Sequence, residues 1–119
     1  MRRSLVACFA LSLLHVACAE PPASEPVARG RQVYRELGCG RCHQIASSGE
    51  RIGPDLTRIG AVAEARRPGR TAAEYLRESL LDPGAYVVPG FVDSMPRGLT
   101  VGLSGDDREA LLTYLLALR

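Results

Sequence analysis

Cys39-Gly40-Arg41-Cys42-His43 sets two thiols three positions apart and places an imidazole directly after the second. C-x-x-C-H is the pattern of covalent haem attachment. Each thiol can add across one haem vinyl group, and the adjacent histidine is then held under the iron as its proximal ligand. Gly40 and Arg41 occupy variable positions and carry no haem chemistry. Three other readings compete: half a zinc site, a redox dithiol, or a disulfide. Zinc wants a second ligand pair, and outside 39–43 the only other Cys or His residues are Cys8, His15 and Cys18. All three lie in the first eighteen residues, which read as a targeting segment.

Met1-Arg2-Arg3 is a basic start, and the apolar run from Leu5 to Ala17 is too short to span a bilayer. It has the length of a secretory leader, expected over residues 1–19. Two processing sites overlap in it. Ala17-Cys18-Ala19 is an A-x-A pattern that would make Glu20 the first mature residue. Cys18 after Val16-Ala17 also resembles a bacterial lipobox, with the leader ending at 17 and a lipid on Cys18, although His15 stands where such a motif has leucine. Residues 20–26, Glu20-Pro21-Pro22-Ala23-Ser24-Glu25-Pro26, read as an extended spacer. Either route exports the domain that follows, over 27–119.

The chain has 119 residues and a formal net charge of +2, and all 15 basic residues are arginine. Without Arg2 and Arg3, 13 arginines face 13 acidic residues, so the exported domain is near neutral. That argues against nucleic acid as a partner, because phosphate binding needs a basic excess. The domain is also short of aromatics for its core: after the leader only Tyr34, Tyr75, Tyr86, Phe91 and Tyr114 are left. A buried porphyrin would supply part of what they lack.

Val27 to Leu37 contains no proline, and Val27, Gly30, Tyr34 and Leu37 recur at helical spacing. Gly38 is placed to end this helix in a left-handed cap, and Gly30 to admit a close neighbour. Residues 44–70 are rich in turn signals (Ser47-Ser48-Gly49, Gly53-Pro54, Gly60, Pro68-Gly69), leaving room for a helical turn or two between Leu56 and Ala65. Arg66, Arg67 and Arg70 form a basic cluster, read as a solvated loop or as partners for propionates or an acidic protein. Thr71-Ala72-Ala73-Glu74 is a capping box opening a helix that stops at Asp82-Pro83-Gly84. Prolines at 83, 89 and 96 keep 85–99 irregular. Ser104 caps the last helix, with Leu111, Tyr114, Leu115 and Leu118 on one face.

With the leader removed, one histidine (His43) and one methionine (Met95) are left, and there is no lysine anywhere. A second histidine on the iron is therefore excluded within the chain. The far side falls to Met95, to an open or water-filled site, or to an unusual donor such as tyrosine or the amino terminus. Pro96 biases Met95 toward an extended backbone, from which a thioether can project.

Taken together, 27–119 resembles a class I, His/Met-ligated monohaem cytochrome c of the bacterial periplasmic type. Gly30 and Tyr34 resemble the family's first-helix pair, and Tyr114 and Leu115 the last-helix residues against which that pair packs. Gly53-Pro54 with Leu56 resembles the turn whose proline carbonyl accepts a hydrogen bond from the proximal histidine. Ser94-Met95-Pro96 resembles the ligand loop, and Tyr75-Leu76 with Asp82-Pro83 the helix preceding it. The resemblance implies an all-α fold of three main helices and irregular loops around one covalently bound haem c. It further implies thioethers at Cys39 and Cys42, His43 and Met95 as axial iron ligands, and Pro54 behind His43. Arg67, Tyr75 and Tyr86 are its candidate propionate partners. The absent lysine patch departs from the docking surface of mitochondrial cytochrome c.

The resulting expectation is a periplasmic, monomeric carrier of single electrons between redox protein partners, soluble or tethered through Cys18, and not an enzyme. Two other roles compete with it. One is a haem-bearing electron-entry subunit of a larger oxidoreductase, and the other is a haem-based ligand-binding or sensor module.

Overall fold

A helix, α1, opens the domain at Glu25–Glu36. The structure, a computed structural model, describes residues 25–47 and 52–119. The expected leader, Cys18, spacer residues 20–24 and the Ser48-Gly49 turn lie outside the described residues. The start of α1 corrects the spacer boundary, because Glu25 and Pro26 are helical. Proline's missing N–H costs nothing in a first turn, and a carboxylate there suits the helix dipole. At the other end Gly38 adopts φ 70° and ψ 24°, the expected left-handed conformation.

Three further helices follow: α2 (Ile59–Arg66), α3 (Ala72–Leu81) and α4 (Gly105–Ala117). Among the described residues there is no strand, and no helix is long and apolar enough to cross a membrane. The fold is all-α as expected, and α2, about two turns long, lies where a turn or two was anticipated between 56 and 65, ending one residue beyond. Its Gly60 N–H donates to the Leu118 carbonyl at 2.8 Å, so the end of α4 satisfies a first-turn amide of α2. The capping box of α3 is complete: the Glu74 N–H donates to Thr71 Oγ1 at 3.2 Å and the Thr71 N–H to Glu74 Oε2 at 2.8 Å. Ser104 Oγ likewise accepts from the Asp107 N–H, at 3.1 Å, to open α4.

The most extensive helix contact is between α1 and α4. Gly30 makes it possible, since a Cβ there would meet the Ala110 carbonyl and stand 2.6 Å from Tyr114 Cβ. One turn on, the rings of Tyr34 and Tyr114 pack edge to face, centroids 5.7 Å apart and planes at 65°. Arg29 Nε donates to Asp107 Oδ1 at 2.6 Å across the same seam. That hydrogen bond holds the Asp107 carboxyl below its usual range. α4 buries Ala110 and Leu112 besides the predicted Leu111, Tyr114 and Leu115, because α2 and α3 also pack on it. Leu111 is completely buried, and trimming such a leucine to alanine costs about 2–5 kcal/mol.

The irregular segment between α3 and α4 is pinned at its far end. The buried Thr100 hydroxyl donates to the Leu80 carbonyl at 3.1 Å, and Arg108 Nη1 donates to the Leu103 carbonyl at 2.6 Å. A long, coil-like stretch is thereby held against α3.

Candidate haem-binding site

Residues Cys39–Arg41 form a single 3₁₀ turn directly after α1. In that geometry residues three apart eclipse one another, so the x-x spacing sets Cys39 and Cys42 on one side of the turn. Hydrogen bonds from the Cys42 and His43 N–H groups to the Cys39 carbonyl, at 3.2 and 3.0 Å, fix it. Both thiols are free and half-buried. Burial pushes the Cys39 thiol above its ordinary value, and the neighbouring Cys42 adds to the rise.

His43 is held from three directions. Its Nδ1 lies 2.8 Å from the Pro54 carbonyl oxygen. A carbonyl only accepts, so Nδ1 carries the proton and Nε2 keeps its lone pair. The ring lies on Gly53, where a Cβ would stand 2.5 Å from Cε1 and 2.8 Å from Nδ1. The Tyr34 hydroxyl donates to the His43 carbonyl at 3.0 Å. Burial pushes that phenol up to about 12, so it stays a neutral donor. Sequence reasoning placed Tyr34 only in the helix seam; its hydroxyl's role depends on where His43 arrives after the turn.

Beside this turn is a cavity of about 360 Å³. Cys39, Cys42, His43, Pro54 and Met95, the residues expected to attach the haem, ligate its iron and orient the imidazole, line it together. Its other walls are mainly apolar, with Leu37, Leu56, Ile59, Leu76, Val87 and Phe91 among them. Ile52 and Val92 line it too and are 59% and 75% exposed, which marks where it opens to solvent. Two thiols, an imidazole with a free Nε2, a thioether and apolar walls on one cavity are a donor set that fits haem. Among the described residues no group of three or more His, Cys, Asp or Glu is placed to hold a metal ion.

The basic cluster divides. Tyr75 and Tyr86 line the cavity as anticipated, but Arg67 does not; Arg66 and Arg41 do. Arg67 and Arg70 pair with Glu78 at 3.1 and 3.2 Å, and the Arg67 guanidinium also covers the Tyr86 ring at 4.5 Å. Arg66 is steadied by the Asp55 carbonyl at 3.4 Å, and its own carbonyl accepts from the Tyr86 hydroxyl at 2.8 Å. Adjacent arginines near the end of a helix leave in different directions, which a linear reading of the cluster does not resolve.

A protein-family model described as cytochrome c matches residues 27–119. Cytochrome c oxidase subunit 2 of Alkalihalophilus pseudofirmus is 29% identical over 104 residues, covering 84% of this chain. The chain spans 28% of that relative's length. With the family match running from α1 to the last residue and the attachment motif on the cavity wall, the chain belongs to the cytochrome c family of electron-transfer proteins, which bind haem c.

Proposed function

We propose that this chain is an exported, monohaem, class I cytochrome c that carries single electrons between redox protein partners in the periplasm. The observation that carries this reading is the meeting of Cys39, Cys42, His43 and Met95 on one apolar cavity. Cys39 and Cys42 would hold one haem covalently, and His43 and Met95 would supply the donors to its iron. When bound, haem supplies a one-electron ferric/ferrous couple, and His/Met ligation sets its potential high. The chain's own residues do the rest. The Pro54 carbonyl keeps the His43 proton on Nδ1, and Tyr34 fixes the His43 backbone, so the imidazole needs no reorientation as charge changes. Met95 offers a soft thioether, which favours the reduced state. Apolar walls keep water from the metal, while Ile52 and Val92 give partners an apolar edge to approach. The chain makes no bond in a substrate.

The test is the full chain matured in a host that attaches haem. Intact mass should report one haem, the cleavage site and any lipid on Cys18 together. The reduced protein should resist carbon monoxide, and Met95→Ala should bind it readily while keeping its haem. A colourless product sinks the reading; a coloured parent that takes carbon monoxide as readily as Met95→Ala supports the sensor role instead.

A second reading, a domain or subunit of a larger oxidoreductase, is favoured by the similarity to an oxidase subunit of which this chain spans about a quarter. Stable co-purification with membrane partners supports it, and a free monomer supports the carrier.

A further inference from the structure

The segment bearing Met95 is closed on itself by an ion pair. Arg97 Nη2 donates to Asp93 Oδ2 at 2.6 Å, bracketing Ser94-Met95-Pro96, and the Ser94 N–H donates to the Val92 carbonyl at 2.9 Å. The pair rests on Gly84, just past α3. A Cβ at 84 would meet Arg97 Nη2 and stand 3.3 Å from Arg97 Cζ and 3.5 Å from Asp93 Oδ2. Gly84 is not among the positive-φ glycines, so an alanine there would act by pushing the flexible Arg97 guanidinium aside rather than by straining the backbone. Pro83, Asp93 and Met95 all line the cavity, so the ion pair ties the methionine segment to the end of α3 at the cavity wall.

The pair is too exposed to matter much to global stability, with side chains 57% and 44% accessible. Its effect is local. Thr100 and Arg108 hold the far end of the segment whether or not the pair forms. Residues 92–98 meet the start of the loop through this pair on Gly84.

We propose that Asp93, Arg97 and Gly84 form a clasp that positions the Met95 thioether for the iron. This rests on the reading of Met95 as an axial ligand. The three are positioning residues: with the clasp open, Met95 samples states away from the metal, and an external ligand competes in proportion to the open fraction. A pair of this exposure changes that fraction about threefold.

The experiment uses the haem-loaded full chain and reads, per haem, the ferric iron–sulfur charge-transfer band and the carbon monoxide affinity of the reduced form. Asp93→Asn and Gly84→Ala should each weaken the band and raise that affinity about threefold, with haem content and unfolding midpoint unchanged. Because both act on one contact, the double variant should be no worse than the stronger single. Arg97→Lys, which can still reach Asp93, should retain most of the parent's behaviour, and Arg97→Gln should not. Parent-like bands and affinities in Asp93→Asn and Gly84→Ala overturn the clasp, as does additive behaviour in the double variant. Loss of haem in these variants also counts against it, since a device acting on Met95 leaves the Cys39 and Cys42 attachment intact. A parent without the band removes the Met95 reading itself, and the clasp with it.

Discussion

His43 Nδ1 stands 2.8 Å from the Pro54 carbonyl oxygen, eleven residues further along the chain. This one hydrogen bond assigns the imidazole tautomer and leaves on Nε2 the lone pair that the proposed ligation of iron needs. It brings the ring against residue 53, where a Cβ would stand 2.5 Å from Cε1, and only glycine leaves that room.

Gly53→Ala is therefore expected to swing the ring off Pro54. Overpacking of this kind costs about 1–3 kcal/mol, read as a lower denaturation midpoint, and should alter the ferric spin-state spectrum of the haem-loaded protein. A variant that matches the parent in both measurements would show that the ring is not held by this contact.

Gly30→Ala tests the α1–α4 seam by the same logic without touching the site. Its methyl would press on the Ala110 carbonyl and Tyr114 Cβ, which are backbone and near-backbone atoms that cannot move aside cheaply. A loss of about 1–3 kcal/mol in equilibrium unfolding is expected, with the spectrum of the folded fraction unchanged.

The Arg29–Asp107 pair joins the same two helices and carries a pH signature. Its carboxyl is depressed below the ordinary value of 3.8, chiefly by the hydrogen bond from Arg29. A depressed carboxylate contributes stability that is complete above the unfolded value and is lost as pH falls through the folded one. Asp107→Asn should thus melt below the parent at pH 7, and the gap should close as both are taken below pH 3.8. A gap independent of pH would assign the effect to packing.

Arg66 and Arg67 are neighbours in sequence with different surroundings. Arg66 lines the cavity, whereas Arg67 is neutralised by Glu78. A cation near the iron favours the ferrous state, so Arg66→Gln should lower the reduction potential by tens of millivolts. Arg67→Gln should move it much less. Equal shifts in potentiometric titration would mean that both side chains face the metal.

Much of the site was legible because covalent haem chemistry demands rare residues at a short fixed spacing. Cys39, Cys42 and His43 lie within one turn, so local geometry alone brings them together. The caps at Thr71 and Ser104 were legible for a similar reason, since each is satisfied within four residues. The errors arose where contacts are long in sequence. The spacer was carried two residues into α1 because Glu25 and Pro26 read as coil until a helix exists for them to begin. Which of Arg66 and Arg67 reaches the cavity is not legible in the cluster, because the direction a guanidinium takes depends on Glu78 and Tyr86, which come from other parts of the fold.

The linear chain determined, by itself, the C-x-x-C-H motif, the helical periodicities and the candidacy of Met95, the one methionine besides Met1. Those are properties of composition and of contacts a few residues long. Only the tertiary structure decided that Tyr34 holds the His43 carbonyl, that Arg66 rather than Arg67 reaches the cavity, and that Asp93 closes on Arg97 over Gly84. Apart from the Asp93–Arg97 pair itself, each of these joins groups nine or more residues apart. Their meeting depends on how α1, α3 and α4 pack, which no short stretch of sequence specifies.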